Sequence, residues 1–180
     1  MKKLKILGMC GSLRRQSTNM GLLRYAKDNL PEGMEMEIAD LHEVPFYNAD
    51  ITEKPEAVKK LLKQIEEADA LMLACAEYNY SMAPALKNAL DWASREPQNR
   101  ILSGKNAAIL GAGGGMGTSR AQYHLRQSCV VLNIHPLNSP EVFSNAFSAS
   151  FDKDGNLVDE KIQELVVKQL EALKDSVVSK

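Results

Sequence analysis

The sequence predicts an α/β fold in which helices cover both faces of a parallel sheet, and three observations carry that reading. Strand-like and helix-like segments alternate along the whole chain. Ala70 to Ala76 is an unbroken apolar run, as a central parallel strand buried on both sides requires. The first strand-like segment leads through a Gly-Ser loop straight into a helical pattern, the opening of a βα unit. A chain of 180 residues, 44% hydrophobic and 25% charged, is enough for one such domain with a sizeable core, taken as residues 1–180.

The elements follow in order. A first strand is expected over Lys3 to Met9. Leu22, Leu23, Ala26 and Leu30 then recur at helical spacing until Pro31 and Gly33 stop the helix. Met34 to Ala39 alternates apolar and acidic residues like a half-buried strand, and leads into a loop around Pro45-Phe46-Tyr47-Asn48 long enough to carry a function. Pro55 suits the first turn of a second helix that puts Val58, Leu61, Leu62, Ile65 and Ala68 on one face. After the Ala70 to Ala76 strand and the loop from Glu77 to Ala83, a third helix is expected over Pro84 to Arg95, with Lys87 and Asp91 as an i,i+4 ion pair and Trp92 in core or interface. Ala107 to Leu110 is a fourth strand that runs into the glycine cluster Gly111 to Gly117, and Ala121, Leu125, Cys129 and Leu132 mark one face of a fourth helix. A fifth strand within Val131 to Phe143 is interrupted by Pro136 and Pro140, which favours an edge or an irregular course. Asp152-Lys153-Asp154-Gly155-Asn156 is turn chemistry, and the last helix, Asp159 to Val177, buries Ile162, Leu165, Val166, Leu170, Leu173 and Val177. Five strands and five helices in alternation are compatible with a flavodoxin-like three-layer sandwich, its five-stranded parallel sheet in the order 2-1-3-4-5. Ligands of such sheets sit beyond the carboxyl ends of the strands, and this order makes the loops after strands one, three and four neighbours.

Composition excludes several classes. Lys plus Arg total 22 and Asp plus Glu 23, so no field exists to hold a nucleic acid or an anionic membrane, and neither partner is expected. No run of roughly 18 apolar residues offers a membrane span. The apolar part of Met1 to Cys10 is too short for a secretory signal and reads as a strand. Cys10, Cys75 and Cys129 form no CxxC pair, and His42, His124 and His135 lack metal-ligand spacing, so no metal site is expected and a reducing cytoplasm fits best. Cys10 and Cys75 end strands expected to be adjacent, but buried free thiols are the ordinary outcome.

Three loops could carry chemistry. Gly11-Ser12-Leu13-Arg14-Arg15-Gln16-Ser17-Thr18-Asn19 joins small residues, hydroxyls, an amide and arginine to a helix N-terminus, a set that suits a phosphate monoester. It is neither a Walker A loop nor a GxGxxG fingerprint. The other reading is that Ser17 or Thr18 merely caps the helix and both arginines are surface residues. Glu77-Tyr78-Asn79-Tyr80-Ser81 offers two tyrosines, an amide and a hydroxyl around which a flat aromatic ligand could be bordered, or else a polar turn. The glycine cluster permits backbone close to a ligand, or a mobile connection. Asp40, at the end of the second strand, reads as a loop cap because no dinucleotide fingerprint accompanies it.

Taken together, these motifs resemble the NADPH-dependent FMN reductase family, with its related quinone, azo-dye and chromate reductases. The likeness lies in Gly11-Ser12-Leu13-Arg14 with Ser17 and Asn19, in Glu77-Tyr78-Asn79-Tyr80-Ser81 followed by Leu86-Lys87-Asn88-Ala89-Leu90-Asp91-Trp92, and in Arg120-Ala121-Gln122 with Leu125-Arg126-Gln127. It departs from the family pattern at Ala76, Ala83-Pro84 and Ala112. The resemblance implies that Ser12, Arg14, Ser17 and Asn19 hold the phosphate of FMN, that Glu77, Tyr78, Asn79 and Tyr80 border its ring, and that backbone at Ala112, Gly113 and Gly114 closes over it. It also implies NADPH or NADH as co-substrate, a small-molecule electron acceptor, and a homodimer or homotetramer with the third helix at the contact. No side-chain catalyst is expected, since the flavin does the redox chemistry. The alternative is a flavodoxin-type electron carrier that does not oxidise NAD(P)H; such carriers are often strongly acidic, and a net charge of -1 gives that reading weak support.

Overall fold

A computed structural model describes residues 3–179; Met1, Lys2 and Lys180, counted in the expected domain, lie outside the described residues. In chain order the elements are β1 (Leu4–Cys10), α1 (Thr18–Asp28), β2 (Met34–Ile38), α2 (Glu56–Glu67), β3 (Ala70–Ala74), β4 (Glu77–Tyr78), β5 (Ser81–Met82), α3 (Pro84–Ala93), β6 (Asn106–Gly113), α4 (Ser119–Leu132), β7 (His135–Pro136), β8 (Val142–Asn145) and α5 (Glu160–Val178), with a 3₁₀ turn at Pro97–Asn99. The main sheet runs β2-β1-β3-β6-β7, with β8 also on β6, and every pairing in it is parallel. This is the expected flavodoxin-like order once β6 is counted as strand four and β7 with β8 as strand five.

Alternation along the strands divides the core into two halves. Leu7, Met9, Leu71, Leu73, Cys75 and Ile109 face α2, α3 and α4, and Ile6, Cys10, Met72, Ala74 and Leu110 face α1 and α5. Helix ends follow local chemistry. Ser17 caps α1 by accepting from Met20 N at 3.2 Å, and Asp159 caps α5 by accepting from Lys161 N and Ile162 N. Pro84 opens α3, where its missing N–H costs nothing. On α5 the expected apolar face holds for Val166, Leu170 and Leu173, while Ile162, Leu165 and Val177 pack half-buried against it.

Two features depart from the expected layout. The fourth strand does not stop at Leu110: it continues through Gly111, Ala112 and Gly113 because Val142–Asn145 pairs with that stretch. The fifth strand is split, β7 pairing with the start of β6 and β8 with its end, and a cis Ser139–Pro140 bond lies between them. Pro136 and Pro140 fall at the break.

The long loop after β2 is ordered from a distance. Asn88 on α3 accepts from Tyr47 N at 2.8 Å and donates to Pro45 O at 2.9 Å and Val44 O at 3.4 Å, while Trp92 Nε1 donates to Pro45 O at 2.8 Å. Tyr47 stands edge-on to Trp92 with ring centroids 5.1 Å apart. Asn88→Ala therefore leaves Tyr47 N and Val44 O without their partners. It should lower the unfolding free energy by about 2 to 3 kcal/mol in urea titrations, and faster proteolytic cleavage within residues 40–55 should accompany it.

Candidate functional site

At the carboxyl edge of the sheet, Cys10 of β1 lies beside Ala74 of β3, and Ala74 beside Leu110 of β6. The segments leaving these strands stay bonded: Gly11 N donates to Ala74 O at 2.9 Å, and Cys75 N to Leu110 O at 2.8 Å. The first of them, residues 12–19, turns into α1. Among the described residues the N–H groups of Arg15, Gln16, Ser17, Thr18 and Asn19 meet no acceptor. The exposed guanidinium groups of Arg14 and Arg15 meet no acid in the same set of residues. Free donors and uncompensated cations at a helix N-terminus are the makings of an anion site.

The hydroxyls and amide of this turn face mostly inward. Ser12 and Ser17 are buried, Ser17 acting as the cap and Ser12 Oγ accepting a long bond from Arg14 N at 3.4 Å. Asn19 is also buried; its Nδ2 donates to Ala112 O at 2.8 Å while Ala112 N donates to its Oδ1 at 3.0 Å. That reciprocal pair joins the start of α1 to the end of β6, so the first and third loops form one unit.

The second loop is a small hairpin, β4 with β5. Asn79 and Tyr80 occupy its two turn positions at φ 50° and 64°, the double left-handed turn that fits the twist of a two-residue hairpin. Tyr78 and Tyr80 project into solvent. Glu77 does not: its Oε2 accepts from Ala121 N at 3.1 Å, supplying α4 with the cap that Thr118 lacks, and its Oε1 is 3.7 Å from Arg120 Nη1. Arg120 lies 4.1 Å over the Tyr80 ring. In the third loop Ala112 is buried, and Gly114 to Gly117 make a tight turn closed by Gly117 N on Gly114 O at 2.8 Å.

Beyond Leu13 the site opens into a cleft of about 350 Å³ lined by Gly11, Leu13, Leu41, His42, Phe46 and Tyr78. Phe46 is exposed at the tip of the loop that Asn88 holds down. His42 bridges the cleft wall to the turn, with Nδ1 2.8 Å from Asp40 Oδ1 and Nε2 3.1 Å from Leu13 O. Asp40 is a loop cap as expected, accepting from His42 N at 3.0 Å. The imidazole is raised above its ordinary value, first by the bond to Asp40 and then by Leu13 O, because only the protonated ring donates from both nitrogens. The Asp40 carboxyl is lowered, first by the His42 N–H and then by the ring.

The thiols stand apart from this chemistry. Burial pushes Cys75 up to about 12 and Cys129 up to about 11, and raises Cys10. Cys10 and Cys75 point to opposite faces of the sheet, so their proximity in the strand order brings no pairing.

The structure thus gathers every expected site residue at one sheet edge, with Arg14, Tyr78 and Tyr80 exposed and with Ser12, Ser17, Asn19 and Glu77 turned largely into the protein. It adds His42 and Phe46 along the rim; in the sequence His42 has no metal-ligand spacing and Phe46 belongs to the long loop after β2. No group of three or more His, Cys, Asp or Glu able to hold a metal occurs among the described residues, and no helix among them is long and apolar enough to cross a membrane.

A parallel sheet in this order, with a run of free N–H donors ahead of α1 and an aromatic hairpin at the same sheet edge, defines the flavodoxin-like class of α/β proteins. Within that class, residues 4–149 match the family model for NADPH-dependent FMN reductases, and the chain belongs to that family. It is 51% identical over 173 residues to an NAD(P)H-dependent FMN reductase of Pseudomonas aeruginosa, covering 94% of this chain and 93% of that one. It is 47% identical over 170 residues to an NAD(P)H:quinone oxidoreductase of Solanum tuberosum, covering 89% and 86% of the two chains. The solved structure of FerB, a flavoenzyme NAD(P)H:(acceptor) oxidoreductase of Paracoccus denitrificans, superposes with a TM-score of 0.87 at 29% identity, covering 98% of each chain.

The His42 bridge has a definite pH signature. An imidazole raised in the folded state stabilises fully below its ordinary value of 6.5 and loses that contribution as pH climbs through the raised one. Asp40, lowered from 3.8, keeps its charge until pH falls through the depressed value. Thermal melts should therefore show a larger loss of Tm for His42→Ala at about pH 5.5 than at about pH 8.5; equal losses would remove the charged bridge from the account.

Proposed function

We propose that this protein is an NAD(P)H-dependent, FMN-containing oxidoreductase that passes reducing equivalents from NADPH or NADH to a small-molecule acceptor such as a quinone or a free flavin. One observation carries the reading: among the described residues, five consecutive unpaired N–H groups and two uncompensated arginines stand at the start of α1, tied by Asn19 to the loop that ends β6. This donor set fits a phosphate monoester dianion, so the residues present suit FMN.

In this reading Arg14 and the N–H groups of residues 15–19 hold the phosphate, and the Ser12 hydroxyl shapes the approach. Ser17 and Asn19 contribute backbone donors, while their side chains hold those donors in place. Tyr78, Asn79 and Tyr80 border the ring from the hairpin, and Ala112, Gly113 and Gly114 close over it with backbone alone. Glu77 serves by fixing the start of α4 behind the hairpin. Bound FMN supplies the hydride acceptance from nicotinamide and the electron donation to the acceptor. The chain orients both substrates over the ring, beside the apolar cleft at Leu13, Leu41 and Phe46.

The same reading places the protein in the cytoplasm, as a single domain that assembles into a homodimer or homotetramer through α3 and the surface beside it. A groove of about 270 Å³ between α3 and α4 is lined by Leu90, Asp91 and Val131, and Tyr123, Val130 and Val131 are exposed along α4. Sedimentation velocity at micromolar concentration should give a dimer or larger, and a monomer would reject the assembly.

Arg14→Ala should weaken FMN binding by about 1.5 to 3 kcal/mol, the scale of a hydrogen bond to a charged group, and unchanged affinity in a calorimetric titration would reject that role. Anaerobic NADPH or NADH should bleach the flavin absorbance of the wild-type protein rapidly; a protein that binds FMN without bleaching would be a carrier.

A further inference from the structure

The turn Asp152-Lys153-Asp154-Gly155-Asn156 lies beyond the family match, which ends at residue 149, and no part of the site described so far uses it. It packs on the flank of α1 with the two backbones almost touching. A Cβ on Gly21 would fall 1.8 Å from Gly155 O, and a Cβ on Gly155, whose φ is +79°, would fall 2.8 Å from Gln16 O. Such contact leaves no room for a side chain on either segment.

Polar bonds hold this contact from both ends. Asp152 ties the turn internally: Oδ1 accepts from Asp154 N at 2.9 Å and Asn156 N at 2.8 Å, and Oδ2 from Asn156 Nδ2 at 3.0 Å. The Asn156 amide is thereby oriented with Oδ1 outward, where Arg24 on α1 donates from Nε at 3.1 Å and Nη2 at 2.8 Å. Gln16 Nε2 reaches Asp154 Oδ1 at 3.4 Å. Gln16 and Ser17, the residues pressed by Gly155, are in the middle of the run of unpaired N–H groups.

We propose that the 152–156 turn is a positioning element for phosphate recognition, with Asn156 and Gly155 fixing the height and direction of the Gln16 to Asn19 donors before the ligand arrives. This rests on the reading of that run as the FMN phosphate site. Asn19 anchors the run to β6 on one side and the turn props it on the other, so donors that would otherwise sample many directions are pre-set. The effect is confined to the phosphate end: nothing in the turn reaches the tyrosine hairpin.

The test separates phosphate from ring. Affinities for FMN and for riboflavin, which lacks the phosphate, are measured by fluorescence quenching for the wild type, Asn156→Ala and Gly155→Ala. Asn156→Ala removes no charge, whereas truncating Arg24 would also change the field on the phosphate, and Asn156 is exposed, so this variant remains informative if Gly155→Ala fails to fold. The expected result is an FMN affinity lower by about tenfold with riboflavin affinity unchanged, so that the preference for FMN shrinks. A preserved preference in Asn156→Ala, whether both affinities hold or both fall together, overturns the positioning role while leaving the phosphate site intact. A wild-type protein with no preference for FMN over riboflavin overturns the phosphate site itself.

Discussion

The two-way bond between the Asn19 amide and the Ala112 backbone is the constraint on which the site depends. Both residues are buried, so neither group can turn to water, and each satisfies the other at a distance of about one good hydrogen bond. An unpaired amide or peptide group there would cost roughly 1 to 3 kcal/mol. The bond spans 93 positions of sequence and fixes how far the first turn of α1 stands from the end of β6. It works only because β6 runs on past Leu110, and β6 runs on because β8 pairs with it. The site is thus assembled from the far side of the sheet inward.

A division of labour follows among residues that all look like ligands on paper. Ser17, Asn19 and Glu77 spend their polar side-chain atoms on the protein, capping α1, clamping Ala112 and capping α4. Among the described residues, the polar side-chain atoms of Arg14, Tyr78 and Tyr80 meet no hydrogen-bond or ion-pair partner, and all three are exposed. Alanine serves at 112 because the position's N–H and carbonyl are both spent on Asn19 and its side chain is buried. Replacement of the inward-facing set acts through geometry; replacement of the outward-facing set acts through contact.

How much of this was readable in the sequence depends on how local each determinant is. The strand in the apolar run Ala70 to Ala76 declares itself because burial on both faces leaves no polar position, although it ends at Ala74, and α2 and α4 declare themselves through apolar spacing. The extension of β6 was hidden, since Gly111, Ala112 and Gly113 carry no strand propensity and pair only with β8, some thirty residues on. The order in the loop after β2 was hidden too, because it depends on Asn88 and Trp92, which lie 41 to 47 positions away. The residue types of the turn before α1 and of the tyrosine loop single out segments that the fold brings to one sheet edge, yet types alone do not tell which way a serine or a glutamate points. His42 looked isolated because its partner Leu13 contributes a carbonyl, which any residue would supply.

The two sides of the site differ in stiffness for a physical reason. Around the phosphate turn, the Asn19 clamp, the Ser17 cap and the glycine contact with residue 155 all restrain the same few peptide groups, so the donors have little freedom to lose when an anion arrives. The hairpin is balanced more narrowly. Tyr80 holds a left-handed conformation that costs roughly 1 to 2 kcal/mol for a side chain of its kind, against a stacked Arg120 worth about 0.5 to 1 kcal/mol where exposed. Among the described residues, Arg120 is held in turn by a 3.7 Å approach to Glu77 and a sulfur contact to Met116. In the proposed reading, the restrained turn would grip the phosphate end of FMN and the less restrained aromatic hairpin would border its ring.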